Sequence, residues 1–349
     1  MENGASMYRF PMFWLPEDAL RKVMKKMDYL ELILLSLVSQ KSKQAVSNLK
    51  LVAHQITIPF ISEDFIQVYF HVGLAKDILV TFMLLPENMG VFAFNLQFLE
   101  QENVVQNTKI MNGTMMLLKN WMAHLQSIFH HNQIDCLGLD QRAEVFDLQL
   151  VNKIFPRVEK WELRDLNSEL LESVVKNLNP SKSAYLNGKS CFETPAFTHF
   201  FLSQQFQALN VNACLSDWLK FTADEFSQIN ARYVKLEGLK EVTEKDLNRF
   251  LKLWKNGAAP YLEFLEIKLM IGRTMDREKI LKGLEYKEHS ENEVREHENC
   301  YGLVSGLKFQ GGCDILKKDG GRMTVFIRNI WLSPVVRLFV WPKDSRKIL

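Results

Sequence analysis

A six-residue apolar pattern recurs along residues 134–267 of this 349-residue chain and limits what the chain can fold into. Most copies are apolar at the first, fourth and sixth positions, which is typical of a short strand with one buried face. The last apolar residues of successive copies are 24, 23, 25, 25 and 31 residues apart. The copies are IDCLGL, VEKWEL, the weaker SKSAYL, FQALNV, ARYVKL and LEFLEI.

Helical segments fit in the intervals between these strands. One is LNSELLESVVKNLN, and another is VTEKDLNRFLKLWKNG, in which Thr243 is suited to cap the start and Gly257 to end the helix. Strand–helix alternation at a near-constant period predicts parallel strands stacked into a curved solenoid. The period and the string FQALNVNAC resemble a leucine-rich repeat, although the other copies lack its final Asn or Cys. The sequence therefore predicts an α/β fold with an irregular, leucine-rich-repeat-like solenoid over residues 134–275.

The N-terminal region, residues 8–50, is predicted to form three short helices. Leu20, Val23, Met24 and Met27 form one apolar stripe, while the following segment YLELILLSLV is apolar on nearly every side. A unit of about 40 residues cannot cover that much apolar surface by itself. We therefore expect part of this surface to contact another domain or another chain.

The rest of the chain divides by composition. Residues 51–133 are interpreted as a connecting region and the first solenoid units. Residues 276–299 are so rich in charge that a solvated or disordered loop is expected. Residues 300–342 are predicted to form strands separated by Gly-Gly and Asp-Gly turns, as a C-terminal β region.

Overall composition argues against several classes of function. The formal net charge is +2, without the basic excess of a general nucleic-acid or membrane-surface binder. No secretory signal is recognisable, and the apolar stretches are too short to span a bilayer. Five cysteines without CxxC pairs indicate reduced thiols, so we expect a cytoplasmic or nuclear protein.

Two strings in the sequence resemble a known family. FPMFWLPEDALRKVMKKMDYLELILLSLVSQKSKQAV, from Phe10 to Val46, resembles a nematode F-box, with Ser42 where many animal members have tryptophan. Residues 205–342 resemble the type-2 F-box-associated domain of nematodes, through DLNRFLKLWKNGAAPYLEFLEI, GGCDILKKDGGRMTVFI and LFVWP.

The resemblance implies a non-catalytic substrate receptor of an SCF-type ubiquitin ligase, which binds a Skp-type adaptor and through it a cullin. Two alternatives remain open, namely a Skp-bound scaffold that does not promote degradation and an antidote that neutralises one specific protein. Neither nucleic acid nor membrane is expected as a partner. The predicted contacts with the Skp-type adaptor are Phe10, Pro11, Leu15, Pro16, Leu20, Val23, Leu32, Leu35, Leu37 and Val38.

The protein target is expected on the strand face opposite the apolar positions, because alternate strand residues point to opposite sides. Aromatic residues among the charges on this face favour a binding surface over a merely solvated one. The sequence shows no pattern typical of catalysis, a metal site or a cofactor, and His130-His131 is better explained as a polar helix end. The predicted target contacts are Lys160, Glu162, Tyr185, Arg232, Tyr233, Lys235, Phe264, Glu266 and Lys268.

Overall fold

The computed structural model describes residues 12–73, 76–85, 89–100, 103–178, 182–187, 195–212, 221–270, 272–297, 307–329 and 333–341. The predicted adaptor contacts Phe10 and Pro11 lie outside these ranges. The chain divides into two compact units, one formed by residues 1–135 with 153–155 and the other by residues 136–152 with 156–349. No helix within the described ranges is both long and apolar enough to cross a membrane.

The N-terminal region of the first unit forms three short helices, which confirms the sequence prediction. They are α1 (Glu17–Met24), α2 (Tyr29–Ser36) and α3 (Gln40–Ser47). The side chain of Asp28 caps α2 by accepting a hydrogen bond from the Glu31 amide at 2.7 Å, and Ser39 caps α3 by accepting one from the Ser42 amide at 3.1 Å. Such caps satisfy donors that a helix N-terminus leaves free, and each contributes about 1 kcal/mol.

Five antiparallel strands and one further helix follow in the first unit. They are β1 (Gln55–Ile58), β2 (Phe65–Gly73), β3 (Lys76–Leu85), β4 (Gly90–Glu100), β5 (Asn103–Leu117) and α4 (Leu118–Phe129). Each strand pairs with the next one in the chain. The prediction that residues 51–133 contain the first solenoid units is therefore wrong, because these consecutive strands pair antiparallel and the chain between them is too short for crossover helices.

The apolar helix α2 is covered on two sides within this unit. Met24, Leu32, Val46 and Ile128 form a buried cluster that joins α1, α2, α3 and α4. On the other side the Tyr29 ring stacks on Phe98 of β4 at 6.0 Å between centroids. The sheet and α4 thus supply much of the apolar contact that the sequence of α2 demands.

From residue 134 onwards, short strands and helices alternate along the chain. The elements are β6 (Ile134–Leu139), α5 (Leu148–Ile154), β7 (Val158–Arg164), α6 (Ser168–Asn177), β8 (Ser183–Asn187), α7 (Pro195–Leu202), β9 (Ala208–Asn212), α8 (Ala223–Gln228), β10 (Tyr233–Leu239), α9 (Glu244–Lys255) and β11 (Phe264–Leu269). From β7 to β11 each strand pairs in parallel with the next. Thr243 caps α9 as predicted, and Gly257 follows its end with a positive φ of 108°.

The C-terminal part of the chain extends this sheet with antiparallel strands. It contains α10 (Arg277–Leu281), β12 (Tyr286–Glu288), β13 (Val294–His297), β14 (Leu307–Gln310), β15 (Cys313–Leu316), β16 (Arg322–Arg328) and β17 (Val335–Trp341). The strand order onward from β11 is β17, β16, β15 and β12, whereas β13 and β14 form a separate hairpin.

The charged segment 276–299 is not a loop over its described residues, which corrects the expectation from composition. Ile280 and Leu281 are buried and anchor α10. Arg295 is also buried, and it donates hydrogen bonds to both carboxylate oxygens of Asp314 at 3.0 and 3.1 Å. A high content of charged residues therefore does not exclude a folded segment here, because a buried ion pair is tolerated when both partners are fully hydrogen-bonded.

The Arg295–Asp314 pair lies within a wider network of polar contacts. Thr324 donates to Asp314 at 2.5 Å and accepts from Arg295 at 3.0 Å and from the Trp341 indole at 2.7 Å. The Arg295 guanidinium also lies over the Trp341 ring at 5.1 Å and the Phe309 ring at 5.5 Å. The network ties the β13–β14 hairpin to strands β15, β16 and β17.

We predict that Arg295→Met lowers the free energy of unfolding by about 3 kcal/mol, because it leaves the buried Asp314 carboxylate without its main partner. Lys308→Met is the matched control, since Lys308 lies on the exposed side of the same hairpin and should change stability by less than about 0.5 kcal/mol. Chemical denaturation of both variants tests this. Equal stability of the two variants would show that the network does not hold the hairpin.

Candidate protein-binding surfaces

The helices α1 and α2 leave several large apolar side chains exposed. Val38, just after α2, is 73% exposed, Val23 on α1 is 40% exposed and Trp14 is 86% exposed. Of the other predicted adaptor contacts, Pro16 is exposed and Leu15 and Leu37 are half-buried. Trp14 was not among the predicted contacts, although an aromatic residue next to Leu15-Pro16 could have signalled it.

Leu32 is a core residue, which corrects its assignment as an adaptor contact. It is buried in the cluster with Met24, Val46 and Ile128. Leu20 and Leu35 are half-buried and pack against the same cluster. The all-round apolar character of α2 concealed which of its residues face this core.

The parallel strands of the second unit bring predicted target contacts into rows. Partners in register lie side by side, and residues two apart on a strand point to the same face. Three rows run from β7 to β11 and on to β17. The first row is Lys160, Ser183, Ala208, Tyr233, Phe264 and Phe339, the second is Glu162, Tyr185, Asn210, Lys235, Glu266 and Arg337, and the third is Arg164, Asn187, Asn212, Glu237, Lys268 and Val335.

The first row is covered where it reaches β10 and β11. Tyr233 and Phe264 are only 5% and 4% exposed and form a buried cluster with Phe309, Phe339 and Trp341. Phe309 of β14 stacks on Phe339 with centroids 4.2 Å apart. The prediction that Tyr233 and Phe264 are displayed on an open face is therefore wrong, because the β13–β14 hairpin packs on this end of the row.

The second and third rows carry a ladder of charges across β10, β11 and β17. Glu237 pairs with Lys235 at 2.7 Å and with Lys268 at 2.9 Å. Glu266 is buried and accepts a hydrogen bond from Arg337 at 2.6 Å, with Lys268 at 3.7 Å. Although burial raises the pKa of Glu237, hydrogen bonds from Lys235 and Lys268 outweigh it and lower that pKa below its ordinary value.

A second group of charges lies on β7. Arg164 pairs with Glu162 at 2.8 Å, and the Lys160 ammonium lies 5.4 Å from the centre of the Tyr185 ring on β8. The Cys136 thiol donates to Glu162 at 3.5 Å, and burial raises its pKa to about 12. A thiol that stays protonated at neutral pH is not a nucleophile.

Arg232, also a predicted target contact, lies at the strand end beside β10. Its guanidinium is exposed and pairs with Glu263 at 3.5 Å. The position lies at the N-terminal end of β10 and not in the three rows. Within the described ranges, no three His, Cys, Asp or Glu side chains converge as metal ligands would.

Several residues of the polar rows were missed by the sequence analysis. Arg164 and Glu237 follow directly from the strand alternation, one step beyond the six-residue pattern. Arg337 had no such signal, because β17 joins the sheet from a distant antiparallel segment. Asn210 lies at the centre of the second row, and its side-chain oxygen is buried without a hydrogen-bond partner.

Comparison with protein families gives two matches. Residues 12–54 match the family model described as F-box domain, and residues 197–267 match the model described as F-box associated. The first match covers α1, α2 and α3, and the second runs from α7 into β11. No curated protein and no solved structure matches the chain.

We predict that Phe264→Ala lowers the free energy of unfolding by about 3–5 kcal/mol, because it opens a cavity in the aromatic cluster under the hairpin. Tyr261→Ala, which removes an exposed ring from the preceding turn, should change stability by less than about 0.5 kcal/mol. Urea denaturation followed by tryptophan fluorescence measures both. A stable Phe264→Ala variant would return this ring to the list of candidate surface contacts.

Proposed function

We propose that this chain, which carries an F-box domain and an F-box-associated segment, is a substrate-recognition adaptor of an SCF-type ubiquitin ligase. F-box proteins are in general non-catalytic. Their contribution is to hold a target near a ubiquitin-charged enzyme carried elsewhere in the assembly, which raises the effective concentration of the reacting groups.

The observation that carries this proposal is that the F-box helices bury one set of apolar side chains in a core and leave another set exposed. Their core is complete inside the first unit, through Met24, Leu32, Val46 and Ile128. Trp14, Val23 and Val38 are nevertheless left exposed. Apolar side chains that the fold itself does not need are available to a partner, and burial against one contributes roughly 25 cal/mol per Å² before association costs.

We assign the adaptor contact to the exposed or half-buried members of the predicted set that do not pack against the core cluster, together with Trp14. These residues are Trp14, Leu15, Pro16, Val23, Leu37 and Val38. A Skp-type protein docked there would link the chain to a cullin. Leu32 stabilises the helices that present this surface and does not itself contact the adaptor.

We assign the target to the second unit, on the face formed by the polar rows of β7 to β11. The parallel strand–helix alternation over β7–β11 supports an irregular, leucine-rich-repeat-like solenoid, an architecture that displays such faces for binding. Lys160, Tyr185, Lys235 and Lys268 are half-buried on this face and accessible to a partner. Tyr233 and Phe264 are buried under the β13–β14 hairpin and stabilise this end of the sheet.

We predict that the double variant Val23→Asp/Val38→Asp weakens binding to a Skp-type adaptor about 100-fold or more, because two charges replace apolar surface that the adaptor would bury. Val145→Asp is the control, since Val145 is an exposed valine outside the F-box region. Co-expression with the adaptor and pull-down, with a thermal melt of each variant, measures the effect. Undiminished pull-down of a folded double variant would refute the F-box contact assigned here.

We also predict that a bound target is degraded in an adaptor-dependent way. Affinity capture with the wild-type chain and with Val23→Asp/Val38→Asp should recover the same target, because the target surface lies in the second unit. The half-life of that target should lengthen in cells that express only the double variant, and a proteasome inhibitor should remove the difference. An unchanged half-life would instead favour a scaffold that does not promote degradation.

A further inference from the structure

Two groups of cations lie on the same face of the parallel sheet, separated by uncharged side chains. The β7 cluster consists of Lys160 and Arg164. The β10–β17 cluster consists of Lys235, Lys268 and Arg337, on three neighbouring strands. The strands between them, β8 and β9, place Tyr185 and Asn210 on this face.

The carboxylates on this face are already paired within the protein. Glu162 pairs with Arg164, Glu237 with Lys235 and Lys268, and Glu266 with Arg337. Five cations therefore share three carboxylates, and the face keeps a positive excess. The pKa of Glu162 agrees with this positive charge. Burial raises that pKa, but the hydrogen bond and the attraction from Arg164 outweigh the effect of burial and lower it below its ordinary value.

The middle of the face is suited to contact the main chain of a bound peptide. Asn210 is half-buried on this face, and its side-chain amide carries both a donor and an acceptor with which the main chain of a peptide can form hydrogen bonds. Tyr185 lies next to Asn210 in register and offers a half-buried ring for apolar contact.

The spacing of the two clusters sets the spacing of a matching ligand. Three strand-to-strand steps separate β7 from β10. At about 4.8 Å per step the separation is about 14 Å, which an extended chain covers in about four residues.

We propose that this face binds an extended acidic segment of the target protein, with two groups of Asp or Glu side chains about four residues apart. One acidic group pairs with Lys160 and Arg164, and the other pairs with Lys235, Lys268 and Arg337. The residues between them cross Tyr185 and Asn210. The inference rests on the proposed role of the second unit in target binding and adds the chemical class of the target.

Carboxylates fit this face better than the other charged ligands. A basic segment would meet an excess of like charge, which disfavours association. The cations do not form one dense arginine group, which is the usual feature of phosphate recognition. They are dispersed over four strands, as separate carboxylates along an extended chain require.

The test uses the full chain purified with its Skp-type adaptor and a fluorescein-labelled peptide with two Glu-Glu pairs separated by three neutral residues, so that the nearest Glu residues of the two pairs are four positions apart. We expect saturable binding by fluorescence anisotropy that weakens as salt is raised. The same peptide with Gln or with Lys in place of Glu should not bind. A peptide of equal length with its four Glu consecutive should bind about threefold or more weakly, because it reaches one cluster only.

Substitutions locate the binding on this face. Lys235→Met/Lys268→Met should weaken binding about tenfold, and Arg164→Met about threefold, since each removes a partly exposed ion pair with the peptide. Lys176→Met is the control, because Lys176 is an exposed lysine on α6 that pairs only with Glu172 among the described ion pairs. A thermal melt confirms that each variant is folded. The Arg164→Met variant keeps the whole β10–β17 cluster, so it still tests the proposal if the double variant does not fold.

Three results would overturn the proposal. They are equal binding of the Glu and Gln peptides, wild-type affinity in both the Arg164→Met and the double lysine variants, and binding only when the Glu residues are replaced by phosphoserine. The adaptor pull-down is independent of all three. A chain that binds its adaptor but not the Glu peptide would thus lose this inference while the proposed function stands.

Discussion

The register of the parallel strands is the constraint on which the rest of the second unit depends. Backbone pairing from β7 to β11 places equivalent positions of each strand side by side, so that residues about 25 apart in sequence become neighbours. A shift of one residue in any strand would exchange its core and surface faces. The same pairing that buries Trp161, Leu186 and Leu236 in one layer therefore aligns Tyr185 and Lys235 on the other.

The strands that follow the repeat determine which side chains of the sheet are exposed. β17 adds to β11 antiparallel and brings Arg337 beside Glu266 and Phe339 beside Phe264. The β13–β14 hairpin then covers the aromatic end, held by the buried Arg295–Asp314 pair. The exposed face is consequently narrower and more charged than the strand pattern alone indicates. Its aromatic residues at β10 and β11 stabilise the fold, while its cations remain accessible.

In the first unit, the apolar helix α2 is covered by contacts with elements distant in the chain. Three helices of eight residues each cannot bury a segment as apolar as YLELILLSLV by themselves. An antiparallel sheet and α4 provide the missing contacts, through the Tyr29–Phe98 stack and the cluster that includes Ile128. Although this core is complete, Val23 and Val38 stay exposed.

Sequence by itself determined the local elements: the three N-terminal helices, the strands of the repeat and the N-cap at Thr243. Each depends on residues within one turn or one strand, where propensity and apolar period act directly. Only the tertiary structure decided that residues 55–117 pair antiparallel, that the charged segment near Arg295 is folded, and that Leu32, Tyr233 and Phe264 are buried. These outcomes depend on contacts between residues distant in the chain, and periodicity carries no information about which distant segment will cover a given face.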